Sequence, residues 1–123
     1  MNFVEIDSGQ TEVELDLPAL KEVYQDFLIG NAVSIPDFEG PRLELLKHHH
    51  NLVTAENAMK PGDLYNGTEF DFSGADRLVE KIIKEDLLVH GHVLVWHQQS
   101  PEWLWGRDTG DKDDKGQPIY EPL

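Results

Sequence analysis

Three short apolar runs set the possible fold of this chain: FLIGNAV at 27–33, LVTA at 52–55 and LLVHGHVLVW at 87–96, each separated from the next by residues that recur at helical spacing. Runs of this length suit strands rather than helices. Their near-continuous apolar character does not fit a sheet with one wet face, and helical patterning between successive strands supplies the crossovers that parallel pairing requires. Between the first two runs, GPRLELLKHHH (40–50) places Pro41 where a first-turn proline fits and sets Leu43, Leu46 and His50 on one side. Between the second and third, SGADRLVEKIIKED (73–86) carries an S-x-x-D box at Ser73 and Asp76 and an apolar stripe of Ala75, Leu78, Val79, Ile82 and Ile83. Ahead of them, Leu17, Leu20, Val23, Tyr24 and Phe27 predict a further short amphipathic helix over 17–27. The expected class is α/β, about three parallel strands with covering helices.

Such a set makes a poor finished domain, because a parallel sheet buries both faces and leaves open edges when cut short. The expected organisation is a leader or linker end over 1–16, strands and crossover helices over 17–107, and an acidic loop over 108–123 leading to further elements. Within 123 residues, 24 Asp and Glu against 10 Lys and Arg give a formal charge of -14, which opposes nonspecific binding to nucleic acid or anionic lipid. No apolar run approaches the roughly 20 residues of a membrane-spanning helix, and no secretory signal is visible. The lack of cysteine excludes disulfides and thiolate metal sites. A neutral partner is the easier one to accommodate.

Polar groups gather at the carboxyl ends of two of these strands. If 87–96 is one continuous strand, Val89, Gly91, Val93 and Val95 share one side and His90, His92, Leu94 and Trp96 the other. The second strand likewise ends in Glu56, Asn57 and Lys60. Parallel α/β folds build their ligand sites at that end.

FLIGNAVS, VTAENAMKP and GHVLVWHQQ, in this order and spacing, resemble the first three barrel strands of the glycoside hydrolase family 10 endo-β-1,4-xylanases, and FDFSGADRLV resembles the helix between the second and third. The resemblance runs from about Leu17 to Trp105 and implies the amino-terminal portion of a (β/α)8 TIM barrel. It implies xylan or xylo-oligosaccharides and the remainder of the barrel as partners, with no cofactor. Carried onto this sequence, it places Glu56, Asn57 and Lys60 on sugars of the non-reducing (glycone) side, His92 and Trp96 around the sugar being cleaved, and Gln99 on its neighbour. A carboxylate, amides, an ammonium and an imidazole together read hydroxyls that donate and accept, and an indole suits the CH face of a sugar. The resemblance puts the acid/base and nucleophile glutamates of a retaining mechanism after the fourth and seventh strands, beyond Leu123. No catalytic residue is therefore expected within 1–123. The family is commonly secreted, and this sequence alone leaves localisation open.

Three positions depart from the family pattern: His90 where a basic residue is usual, His50 where an aromatic is usual, and Asp86 where glycine commonly ends the helix. Other candidates read as ordinary structure. His48, His49 and His50 point in different directions on a helix, so a surface run ending in one core-facing imidazole is expected rather than a metal site. The acidic run from Asp108 has Lys115 at a ligand position and no closing glutamate in the frame starting at Asp111, which disfavours calcium. Glu102 reads as a solvated loop carboxylate, and Trp103 stands between packing and site. Three roles follow: the glycone-side part of a xylanase, a non-catalytic xylan-binding remnant, or an assembly piece needing a second chain.

Overall fold

The computed structural model describes residues 12–122. Of the expected leader over 1–16, residues 1–11 lie outside the described residues, and 12–16 carry no helix or strand. The centre is a three-stranded parallel sheet, β1 (Gly30–Val33), β2 (Leu52–Ala55) and β3 (Leu88–His90), in the order β1-β2-β3. Gly30 pairs with Leu52 and Leu52 with Leu88, so all three strands run in register toward one end. The crossovers carry α2 (Gly40–His49), a single-turn α3 (Pro61–Leu64) and α4 (Ser73–Lys84). This is the α/β arrangement expected of a barrel's first three strands.

One face of the sheet is dry. Val33, Val53 and Ala55 point toward the helices and join Phe38, Leu46, Leu78, Ile82 and Leu87 in one cluster. Alternation along β2 leaves Leu52 and Thr54 on the other face, half-buried. The α4 stripe explains its own placement, since Ala75, Leu78 and Ile82 recur at helical spacing and all three are buried.

The local structure departs from expectation at five places. The helix expected over 17–27 reduces to the single turn α1 (Leu20–Val23), and its apolar residues stay exposed, only Ala19 being buried. One turn cannot sustain itself without a packed face. Instead, α2 grips it by polar contacts: Lys21 Nζ donates to the Lys47 carbonyl at 2.6 Å, the Leu20 N–H donates to His49 Nδ1 at 3.3 Å, and His48 Nε2 donates to the Leu17 carbonyl at 2.7 Å. Second, the histidine run therefore holds backbone, and His50, half-exposed with Nδ1 3.2 Å from the Leu46 carbonyl, does not reach the core.

Third, the box expected at Ser73 and Asp76 does not form. Ser73 already lies inside the first turn of α4, and its N–H is taken by Asp71 Oδ1 at 2.9 Å. The reciprocal box occurs at Ser34 and Asp37, capping a 3-10 turn over Ile35–Phe38. There the Ser34 N–H lowers the Asp37 carboxyl below its ordinary 3.8, burial opposing and the Ser34 hydroxyl and Arg42 assisting.

Fourth, β3 stops at His90: only Leu88, Val89 and His90 find partners on β2, and no described strand lies on its other side. The expected face sharing by His92, Leu94 and Trp96 through strand alternation is lost, and Leu94 is 95% exposed. Fifth, the stretch expected as an acidic loop contains an antiparallel hairpin, β4 (Arg107–Lys112) with β5 (Pro118–Glu121). Its turn is built by Asp113, whose Oδ1 accepts from the Lys115 and Gln117 N–H groups, both at 2.8 Å.

Candidate functional site

Beyond the carboxyl ends of β2 and β3, the chain brings distant polar residues into one cluster. Asn57 lies two residues past the end of β2 and Lys60 directly precedes α3. Gln99 arrives from 39 residues further along, on the segment that leaves β3. Lys60 Nζ donates to Asn57 Oδ1 at 3.0 Å and to Gln99 Oε1 at 2.7 Å, and Gln99 Nε2 donates to Asn57 Oδ1 at 3.1 Å. The same ammonium stands 5.0 Å from the centre of the Trp96 ring, over its face. That distance is within the range of a cation–π contact. Trp96 in turn lies 6.2 Å from the His92 ring and 5.2 Å from the His97 ring.

Five of the six expected residues therefore meet: Asn57, Lys60 and Gln99 by hydrogen bonds, Trp96 over the ammonium, and His92 beside the indole. The irregular path after His90 gathers His92 and Trp96 where a straight strand would have spaced them apart. Glu56 stands differently. Its N–H donates to the Val33 carbonyl at 2.9 Å, which ties the end of β2 to β1, and its exposed carboxylate has no hydrogen-bond partner among the described residues.

The hydrogen-bond inventory defines what the cluster can still do. Lys60 has one N–H left after its two acceptors, and Asn57 keeps both amide N–H donors. Gln99 keeps one amide N–H. Glu56 contributes only acceptors. The result is a patch of directed donors beside a lone carboxylate and an indole.

Next to it lies a cavity of about 370 Å³, walled by Met59, Pro61, Leu64, Phe70, His92 and Trp103 among others. Trp103 belongs to an aromatic group there, with ring centres 5.6 Å from Tyr65 and 6.2 Å from Phe70. Sequence reasoning missed Tyr65 and Phe70; the available signal was their placement around the Asn66-Gly67 turn, which brings them into an isolated bridge. Glu102 is exposed in a 3-10 turn over Glu102–Trp105. Among the described residues, no three His, Asp or Glu side chains gather as a metal site.

Parallel strands with helical crossovers, delivering polar and aromatic side chains beyond their carboxyl ends, define the class: a segment of a (β/α)8 barrel, with a polar and aromatic cluster at the carboxyl-end face. The chain belongs to glycosyl hydrolase family 10, whose sequence profile matches residues 19–120. It is 38% identical over 122 residues to endo-1,4-beta-xylanase A of Thermotoga maritima, an alignment covering 90% of this chain and 12% of the relative. In structure it is similar to xylanase B of Clostridium stercorarium F9, with TM-score 0.66 and 36% identity over 83% of this chain and 29% of that one. A solved mutant in complex with xylotriose is similar too, with TM-score 0.65 and 35% identity, covering 80% of this chain and 29% of that one. The chain thus spans less than a third of each of these relatives.

Proposed function

We propose that this chain forms the xylan-gripping, glycone-side part of a retaining endo-β-1,4-xylanase, acting with the remainder of a barrel. The observation that carries this reading is the convergence of Asn57, Lys60, Gln99 and Trp96, from two strand ends, into a patch of directed donors around an indole. Xylose presents hydroxyls that both accept and donate. Lys60, Asn57 and Gln99 supply donors to their lone pairs, Glu56 accepts from their O–H groups, and Trp96 covers an apolar ring face. Sequence relatives named as xylanases and a structural neighbour holding xylotriose support the choice of sugar.

Binding and cleavage separate in this proposal. Retaining hydrolysis needs one carboxylic acid to protonate the leaving oxygen and a second carboxylate about 5 to 5.5 Å away to trap the oxocarbenium-like centre. The six proposed contact positions provide one carboxylate, Glu56. The 123 residues are therefore expected to bind xylo-oligosaccharide and release no reducing sugar from xylan, until the remaining strands are supplied on the same chain or as a second fragment. Titration with xylohexaose, followed by amide and indole resonances, should move the Asn57, Gln99 and Trp96 signals. Lys60→Ala should weaken that binding roughly tenfold to a hundredfold, the size of a lost charge-assisted hydrogen bond. Unchanged affinity in Lys60→Ala removes Lys60 from the site. Sugar release by the chain alone, abolished by changing Glu56 or Glu102, overturns the division of labour.

A further inference from the structure

The contact that brings Gln99 to Lys60 is made by a residue with no side chain. Gly62 lies in the single turn of α3, where a helix leaves its first amide protons without an internal acceptor. Its N–H donates to the Gln99 carbonyl at 2.6 Å. A Cβ on Gly62 would stand 2.6 Å from that carbonyl oxygen and 2.8 Å from its carbon, both backbone atoms that cannot swing aside as a side-chain tip can. Gln99 itself sits in the left-handed region, φ 48°, uncommon for a residue with a side chain and sustained only where the surroundings hold it.

We propose that Gly62 is a positioning residue: its bare backbone latches the Gln99 peptide against α3 and so fixes the Gln99 carboxamide on Lys60 and Asn57. The role as part of a sugar site rests on the carbohydrate reading above; the latch does not. Two features of the geometry support it. The segment after β3 is irregular from Gly91 to Pro101, so strand pairing does not place Gln99. The side-chain bonds at 2.7 and 3.1 Å then depend on where that peptide is held. A helix favours alanine over glycine, so any loss caused by Gly62→Ala opposes the helix propensity and must come from the contact.

The test uses the unmodified 123-residue chain, Gly62→Ala, and Gly74→Ala as a matched control, because Gly74 is also helical and a Cβ there meets nothing within 4 Å. In isotope-labelled chains, Gly62→Ala should displace the side-chain amide resonances of Gln99 and Asn57 and the Trp96 indole N–H, and Gly74→Ala should leave them in place. Xylohexaose affinity should fall roughly tenfold in Gly62→Ala alone, as for one lost hydrogen bond to a charged network. Retention of all three resonances and of affinity in Gly62→Ala overturns the proposal. If the resonances move but no chain responds to xylohexaose, the latch is supported and the carbohydrate reading is overturned. Hydrogen exchange in the unmodified chain needs no substitution: the Gly62 amide should be protected, and an unprotected Gly62 amide overturns the latch even where Gly62→Ala fails to fold.

Discussion

Asp86 occupies left-handed backbone, φ 60°, just past the end of α4. The Leu87 N–H reaches the Ile82 carbonyl at 3.2 Å and the Asp86 N–H reaches the Ile83 carbonyl at 3.0 Å, the paired bonds of a Schellman end, with Leu87 and Ile82 both buried beside it. Glycine suits this backbone best, and a carboxylate at a helix C-terminus opposes the helix dipole. Asp86→Gly should therefore raise stability by about 0.5 to 1.5 kcal/mol, read as a higher urea midpoint with unchanged slope. The departure was visible in the sequence as aspartate where glycine is usual, and the structure adds the dihedral that makes it costly. Glu56 is the opposite case. Its place at a strand end was legible, yet no hydrogen bond among the described residues engages its carboxylate, which leaves it open to the ligand contact proposed above.

The α1–α2 clasp carries a pH dependence. To accept from the Leu20 N–H, His49 must be neutral at Nδ1, and burial together with the neighbouring His48 and His50 holds its proton affinity below the ordinary 6.5. Lys21 adds a further positive charge across the same contact, with its ammonium on the Lys47 carbonyl. A base depressed on folding contributes stability above its ordinary value and loses it as pH falls from there toward the folded value. Amide exchange at Leu20, corrected for intrinsic rate, should therefore lose protection as pH falls below the ordinary 6.5, and His49→Gln should remove that change. Equal pH response in the variant would assign it elsewhere. At this scale β1 and β2 were legible as short apolar runs, α2 by its proline boundary and α4 by its strong period. The early end of β3 was not legible, since the Val93, Leu94 and Val95 pattern is strand-like, yet pairing with β2 ends at His90. The hairpin of β4 and β5 was also hidden: β4 is Asp-, Gly- and Lys-rich, poor by propensity, β5 is only four residues long and opens on a proline, and Asp113 sets the turn through its side chain. SIPD at 34–37 carries the same box signature as SGAD at 73–76, and only the structure shows which of the two closes.

As a whole the molecule joins a dry helix-covered face to two strands, β1 and β3, that each have a single neighbour among the described residues. Leu28, Leu88, Leu94 and Val95 are all more than half exposed near those edges. Edges of this kind invite pairing, while a formal charge of -14 pushes copies apart over a distance set by salt. The chain should sediment as a monomer at low ionic strength and associate as salt is raised from about 10 mM to about 500 mM, where the Debye length contracts from roughly 30 Å to a few ångströms. Leu94→Asp should weaken the association, and a salt-independent monomer would show that the edges are covered. The hairpin differs from these edges in one respect. Arg107 at its start pairs with Glu121 at its end, backbone and side chain alike, the two carrying an ion pair of 2.5 Å. The polypeptide thus departs and comes back to almost the same point, so the excursion contributes no net travel to the path of the chain. Its length is free to vary: excising 109–119 and joining the ends through a two-residue turn should leave the Lys60 cluster unmoved, and a foreign peptide spliced between Asp114 and Lys115 should be carried as a passenger.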